Sequence, residues 1–188
     1  QPGDTISIAA TSGETVFTES VNLSLMGSAR PGGALTGDLT IRGDTAGSGT
    51  TIVSPTTSTT NNSIFYNSSA FSGNLTIRNL TLRPTSVTTG TEGDIGIRLD
   101  GVTGNISVID VQVFDATDSA IQIKNSQGPT VTTNNVSTVT QSSLLLQDIN
   151  ISRNLDGVTP KGIILDNLRM LGLLDAVAIT EVGTTAIQ

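Results

Sequence analysis

The chain has 188 residues, a net charge of −7 and a pI of about 4.3; 36% of it is hydrophobic, 3% is aromatic, and Trp, Cys and His are absent. One domain over residues 1–188 is the expectation, and the missing Cys excludes a disulfide framework and thiol chemistry. The acidic balance argues against nucleic acid and against an anionic membrane surface, both of which would repel it.

No apolar run approaches the roughly 18 residues of a membrane-spanning helix, so direct membrane insertion is not expected. Residues 1–4 (QPGD) lack the basic and apolar segments of a signal peptide. About a quarter of the chain is Ser or Thr. A core built on aromatics is therefore disfavoured, whereas a narrow column of Ile, Leu and Val clothed in Ser, Thr and Asn suits a solenoid.

In chain order, the first strand is read at residues 4–8 (DTISI), followed by a Gly-containing loop at 9–14 and the stretch 15–27 (TVFTESVNLSLMG). Segments 3–9 (GDTISIA), 17–21 (FTESV) and 23–27 (LSLMG) resemble the opening coil of the right-handed parallel β-helices of the pectin-lyase-like superfamily, with Phe17 where Tyr is common. That resemblance covers roughly the first 27 residues. It implies that a coil begins near the N-terminus and that the helix is right-handed.

A second pattern starts at 38–43 (DLTIRG) and returns at 74–82 (NLTIRNLTL), 105–113 (NISVIDVQV) and 144–152 (LLLQDINIS). The last three share an inner core of apolar, any, Asn or Asp, apolar, centred on Asn79, Asp110 and Asp148. Residues 165–168 (LDNL) fit the same core through Asn167. The polar residue interrupts a two-residue alternation, so it marks a corner; Asn and Asp suit corners because they tolerate left-handed backbone angles and bond locally.

The main periodic signal is residues 96–99 (GIRL), which return as 120–123 (AIQI), 162–165 (GIIL) and 186–188 (AIQ). Their second residues, Ile97, Ile121, Ile163 and Ile187, lie 24, 42 and 24 positions apart. Equal intervals of strand-like segments predict an all-β, single-stranded parallel β-helix whose middle interval is one turn plus an outward insertion. Residues 63–67 (SIFYN) read as an earlier copy marked by Ile64. The irregular stretches 45–63, 85–94 and 126–143 are expected to bulge from the stack, and the chain, which shows no polar cap after residue 180, reads as a piece of a longer protein.

Catalysis would need acids at set separations, or Asp clusters around a cation with a basic partner. The nearest constellation is Asp110, Asp115, Asp118 and Lys124, with Asp148, Arg153, Asp156 and Lys161 about a coil later. Residues 154–157 (NLDG) faintly resemble the Asn-Thr-Asp-Gly motif of polygalacturonases, whose companion motifs are missing. No catalytic residue, metal site or cofactor is assigned, and Asn79, Asp110, Asp148 and Asn167 are read as structural corners.

Gly32-Gly33-Ala34-Leu35 and the Phe71 to Asn74 spacing resemble the GGA-aliphatic and F-x-x-N repeats of chlamydial polymorphic outer membrane proteins, which are autotransported β-helical adhesins. The resemblance implies binding roles for Gly32, Gly33, Ala34, Leu35, Phe71 and Asn74. The expected function is that of a non-enzymatic bacterial surface or secreted adhesin, an autotransporter passenger segment that holds loops at a host-cell receptor or glycan. Its place would be extracellular or on the outer-membrane surface. Two alternatives stand beside it: a carbohydrate-active β-helix (polysaccharide lyase, hydrolase or phage tailspike), and the shaft of a trimeric fibre supported by the apolar stretch 170–177.

Overall fold

The computed structural model describes residues 4–8, 15–18, 20–23, 37–43, 50–53, 63–67, 70–84, 95–116, 118–152, 161–180 and 186–188. These residues are all-β and form a parallel β-solenoid, a single chain wound so that successive turns stack their strands in two long parallel sheets. The first turn carries β1 (Asp4–Ile8), β2 (Thr15–Thr18) and β3 (Val21–Asn22). The second carries β4 (Leu39–Gly43), β5 (Thr50–Val53) and β6 (Ser63–Tyr66). Then follow β7 (Phe71–Ser72), β8 (Leu75–Arg83) and β9 (Ile95–Asp100), and β10 (Val102–Thr103), β11 (Ile106–Phe114) and β12 (Ser119–Lys124). The fifth turn holds β13 (Thr130–Thr133), β14 (Val136–Val139), β15 (Ser143–Ser152) and β16 (Lys161–Asp166); the last holds β17 (Leu171–Ile179).

The larger sheet stacks β1, β4, β8, β11, β15 and β17 in that order. Six rungs at about 4.8 Å give a rise of about 24 Å. A second sheet runs β3-β6-β9-β12-β16, and β7-β10 begins a short third side continued by parallel bridges Thr103 to Gln127 and Gln127 to Arg169. The repeating Ile97, Ile121, Ile163 and Ile187 are direct register partners. In the turn before them it is Phe65, one residue past Ile64, that pairs with Ile97, because Ser63 aligns with Ile95.

The core is a set of columns running along the solenoid. Ile41, Ile77, Val108 and Leu146 form one, continued in register by the exposed Leu174, and Leu80, Val111, Ile149 and Val177 form another. Between these two columns the strands bend. Asn79, Asp110 and Asp148 have φ of 57°, 52° and 53°, and the register places Ala176, at 52°, next above them. A left-handed residue resets the alternation, so that Ile77 and Leu80, three apart, both face inward and are buried. In the first two turns separate strands take the place of one long one: β4 and β5 pair with the two halves of β8, and β1 and β2 pair with β4 and β5 in turn. Thus residues 50–53, read from sequence as part of an irregular stretch, are strand.

Asn167 belongs to a different column. Its neighbours Leu165 and Asp166 pair with Ile123 and Lys124, which pair in turn with Leu99 and Asp100. Gly101, Asn125 and Asn167, at φ 71°, 50° and 50°, therefore close the second sheet and not the bend of the first. The sequence pattern at 165–168 matched because both corners require a residue that accepts left-handed angles.

The unequal interval has a local cause. Gln127 to Ser143 spans 16 positions where their column partners Thr103 and Asn105 are 2 apart. That supplies 14 of the 18 extra residues (42 − 24), and the other 4 lie between β15 and β16. Most of the insertion is regular: β13 and β14 form an antiparallel hairpin. Its two-residue turn, Asn134 and Asn135, has φ of 51° and 61°, positive at both central positions as a type I′ turn requires. The Asn-Asn pair was the signal for it.

Candidate functional site

Side-chain ladders hold the turns together. Asp38 Oδ1 accepts the Asn74 N–H at 3.0 Å, Asn74 Oδ1 accepts the Asn105 N–H at 2.9 Å, and Asn105 Oδ1 accepts the Ser143 N–H at 2.8 Å. A second ladder closes the other sheet: Asn125 Nδ2 donates to Asp100 Oδ1 at 2.9 Å, and Asn167 Nδ2 to Asn125 Oδ1 at 2.7 Å. Each rung satisfies a corner group that would otherwise face water, which stiffens the rod.

The motif positions fall within this framework. Phe71 is 3% exposed and lies in the hydrophobic core, while Asn74 is a rung of the first ladder. Gly32, Gly33, Ala34 and Leu35 lie outside the described residues, as do Arg153, Asp156 and the 154–157 motif.

The acids grouped in the sequence separate in space. Asp110 and Asp148 are exposed on the bend of the first sheet. Asp115 follows β11 at φ 61°, its N–H donating to the Ser152 carbonyl at 3.2 Å. Asp118, Lys124 and Lys161 instead meet on the outer face of the second sheet, together with Asp166, Gln122, Ile164 and Gln188, around a cleft of about 410 Å³ that the core-packed Leu165 also borders.

Two pieces of register build that cleft. Lys124 and Asp166 are paired at the ends of β12 and β16, and Gln122 is paired with Ile164 midway along them. At the other end the Asp118 carbonyl accepts the Lys161 N–H at 2.7 Å, which sets these two residues side by side. Gln188 is held by its N–H to Ile163 O at 2.9 Å and its carbonyl to Leu165 N–H at 2.7 Å. Sequence reasoning reached Asp118, Lys124 and Lys161 but missed Gln122, Ile164, Asp166 and Gln188. The signal was available: once the repeats are aligned on Ile121 and Ile163, Gln122 falls beside Ile164 and Lys124 beside Asp166.

The marker's first residue is small for a packing reason. A Cβ on Gly96 would lie 2.7 Å from Ala120 O and 2.9 Å from Val113 Cγ1, so the two sheets meet too closely there for a larger side chain.

The chemistry open to the cleft is hydrogen bonding and charge: two carboxylates, two ammonium groups and amides beside the aliphatic Ile164. Among the described residues no group of three His, Cys, Asp or Glu could hold a metal ion, and no helix is long and apolar enough to cross a membrane.

The other exposed element is the β13–β14 hairpin, in which every strand residue is exposed. Val131 and Val136 stand on one face at 47% and 61% exposure, and Val139 on the other at 43%. It is rooted by the Thr140 N–H and hydroxyl, both donating to Pro129 O at 2.8 Å.

These features define a parallel β-solenoid carrying one projecting hairpin and one polar cleft among its described residues. No protein-family model matches the chain, and no curated protein or solved structure does.

Proposed function

We propose that the chain is a non-enzymatic segment of a bacterial surface or secreted protein, an adhesin or autotransporter passenger segment, that binds a host-cell receptor or glycan with elements held out from a rigid scaffold. The observation that carries this reading is the hairpin. Eight strand residues are committed to a structure that adds nothing to the core, and three valines are left in solvent. Loops displayed on a stiff frame are where recognition usually resides. The resemblance to pectin-lyase-like helices and polymorphic outer membrane proteins, the acidic charge and the Ser/Thr-rich surface all support an extracellular setting.

The test is binding of the labelled chain to cultured host cells, before and after residues 130–139 are replaced by a short Gly-Ser turn. Loss of binding with an unchanged far-UV circular dichroism spectrum is the expected result. Equal binding by both proteins would sink the role of the hairpin. Release of oligosaccharide from polysaccharides incubated with the chain would favour the carbohydrate-active alternative.

A further inference from the structure

Gln122 lies on an interior strand of its sheet, between β9 and β16, with its side chain on the outer face in a row with Tyr66, Arg98 and Ile164. An outward residue on a bare sheet would be largely exposed, yet Gln122 is only 7% exposed and Ile164 only 8%. The Gln122 amide lines the cleft and makes no hydrogen bond with another described residue. The amide is not sealed off as the Ser119 hydroxyl is, so it stays open to the cleft and is free to bond a partner that arrives from outside the chain.

The charged walls show the same incompleteness. Asp118, Lys124, Lys161 and Asp166 line the cleft, and none of their side chains bonds or ion-pairs with a described residue. Lys124 and Asp166 are register partners, close enough to pair, and they do not. The spacing along β16 from Lys161 to Asp166 is five residue steps, about 16 Å. An opposite-charge set therefore stands at each end of the cleft, with Gln122 and Ile164 between them.

That composition selects a ligand class. A phosphate-rich ligand would be repelled by the two carboxylates, a polyamine by the two ammonium groups, and a purely apolar ligand would leave the amide and all four charges unpaired. Neighbouring hydroxyls each donate and accept, which matches acceptor carboxylates, donor ammonium groups and an amide that does both. Ile164, beside Gln122, offers an aliphatic contact for the C–H face of a sugar ring, and about 410 Å³ lies in the usual range of small-ligand sites. We propose that this cleft binds a short neutral oligosaccharide. The inference rests on the glycan-binding reading above and assigns the glycan to the cleft rather than to the hairpin.

The test is a glycan array holding neutral, uronate-containing, sialylated and sulfated oligosaccharides, probed with the whole chain and with Gln122→Leu, Asp166→Asn and the hairpin replacement. Titration calorimetry on the best binder follows. The expected result is a neutral glycan as best binder, at least tenfold weaker affinity for Gln122→Leu and Asp166→Asn, and unchanged affinity for the hairpin replacement. Gln122→Leu removes an unpaired amide, so its thermal midpoint should be equal or higher, which separates lost recognition from lost folding. Glycan binding that ignores both cleft substitutions overturns the inference while the glycan-binding reading stands. Binding confined to anionic glycans, or no glycan binding at all, also overturns it, and the adhesin reading is then decided by the cell-binding assay alone.

Discussion

The side-chain Oδ1 of Asn105 accepts both the N–H of Ser143, at 2.8 Å, and its hydroxyl, at 3.1 Å, one turn further along the solenoid. Asn105 is itself joined to the previous turn through its own N–H. Asn105→Ala removes the upper link only, and should cost about 1 kcal/mol for a hydrogen bond of this kind. Asn105→Asp keeps the acceptor, as Asp38 does at the foot of the ladder, and should cost less. Urea denaturation of the three proteins gives the order; equal losses for Ala and Asp would show that the ladder bond contributes nothing.

Gly104 is expected to be among the least replaceable positions. Its φ is 149°, and a Cβ there would stand 2.1 Å from the Gly73 carbonyl oxygen, a backbone atom that cannot swing aside. Gly73 repeats the relation one turn earlier, at φ 140° and 2.2 Å from Gly37 O. Gly104→Ala should destabilise by about 2–3 kcal/mol or more, combining backbone strain with a clash inside the stack. A thermal midpoint within a degree or two of wild type would show that the turn relaxes around the added methyl.

Much of this architecture could be read from the residues because a solenoid writes each turn into the chain. The Ile97, Ile121, Ile163 and Ile187 series was legible because four successive turns place isoleucine at the same inward point. Residues such as Asn79 and Asp110 stood out because a bend breaks the alternation and admits few side chains. What escaped had weaker local signatures. The offset of Phe65 from Ile64 arose because both are fully buried, so hydrophobicity alone could not choose the register. The cleft escaped because its residues come from adjacent turns, 42 positions apart for Gln122 and Ile164, and meet only through a register that the sequence implies without displaying.

Ser119 offers a stabilising change. It is fully buried, and its hydroxyl has no partner. Ser63, in the same column two turns earlier, is in the same condition, while Ile95 between them shows that the column accepts an apolar side chain. Deleting an unsatisfied buried hydroxyl relieves a desolvation penalty of about 1–3 kcal/mol, less the small contacts its oxygen made. Ser119→Ala should therefore raise the urea midpoint with an unchanged slope. A lower midpoint would show that the hydroxyl has a partner in solution, such as a bound water.

Ala176 carries the bend in the terminal rung at φ 52°, where the three turns before it use Asn79, Asp110 and Asp148. A β-carbon in this region costs about 1–2 kcal/mol, which Asn and Asp partly recover through local hydrogen bonds and Ala does not. Ala176→Gly removes that strain but adds freedom to the unfolded chain, so the net gain should be about 0.5–1 kcal/mol. Ala176→Asn should gain a comparable amount without the entropic loss. Because β17 pairs with β15 alone among the described strands, with Leu171 and Leu173 at 62% and 59% exposure, the effect belongs first to local opening of this edge. Amide hydrogen exchange should show it as slower exchange at the β17 amides bonded to β15, with little change in β8 or β11. Slowing spread evenly over all rungs would mean that the solenoid opens as one unit; no slowing in either variant would mean that the terminal bend is not left-handed in solution.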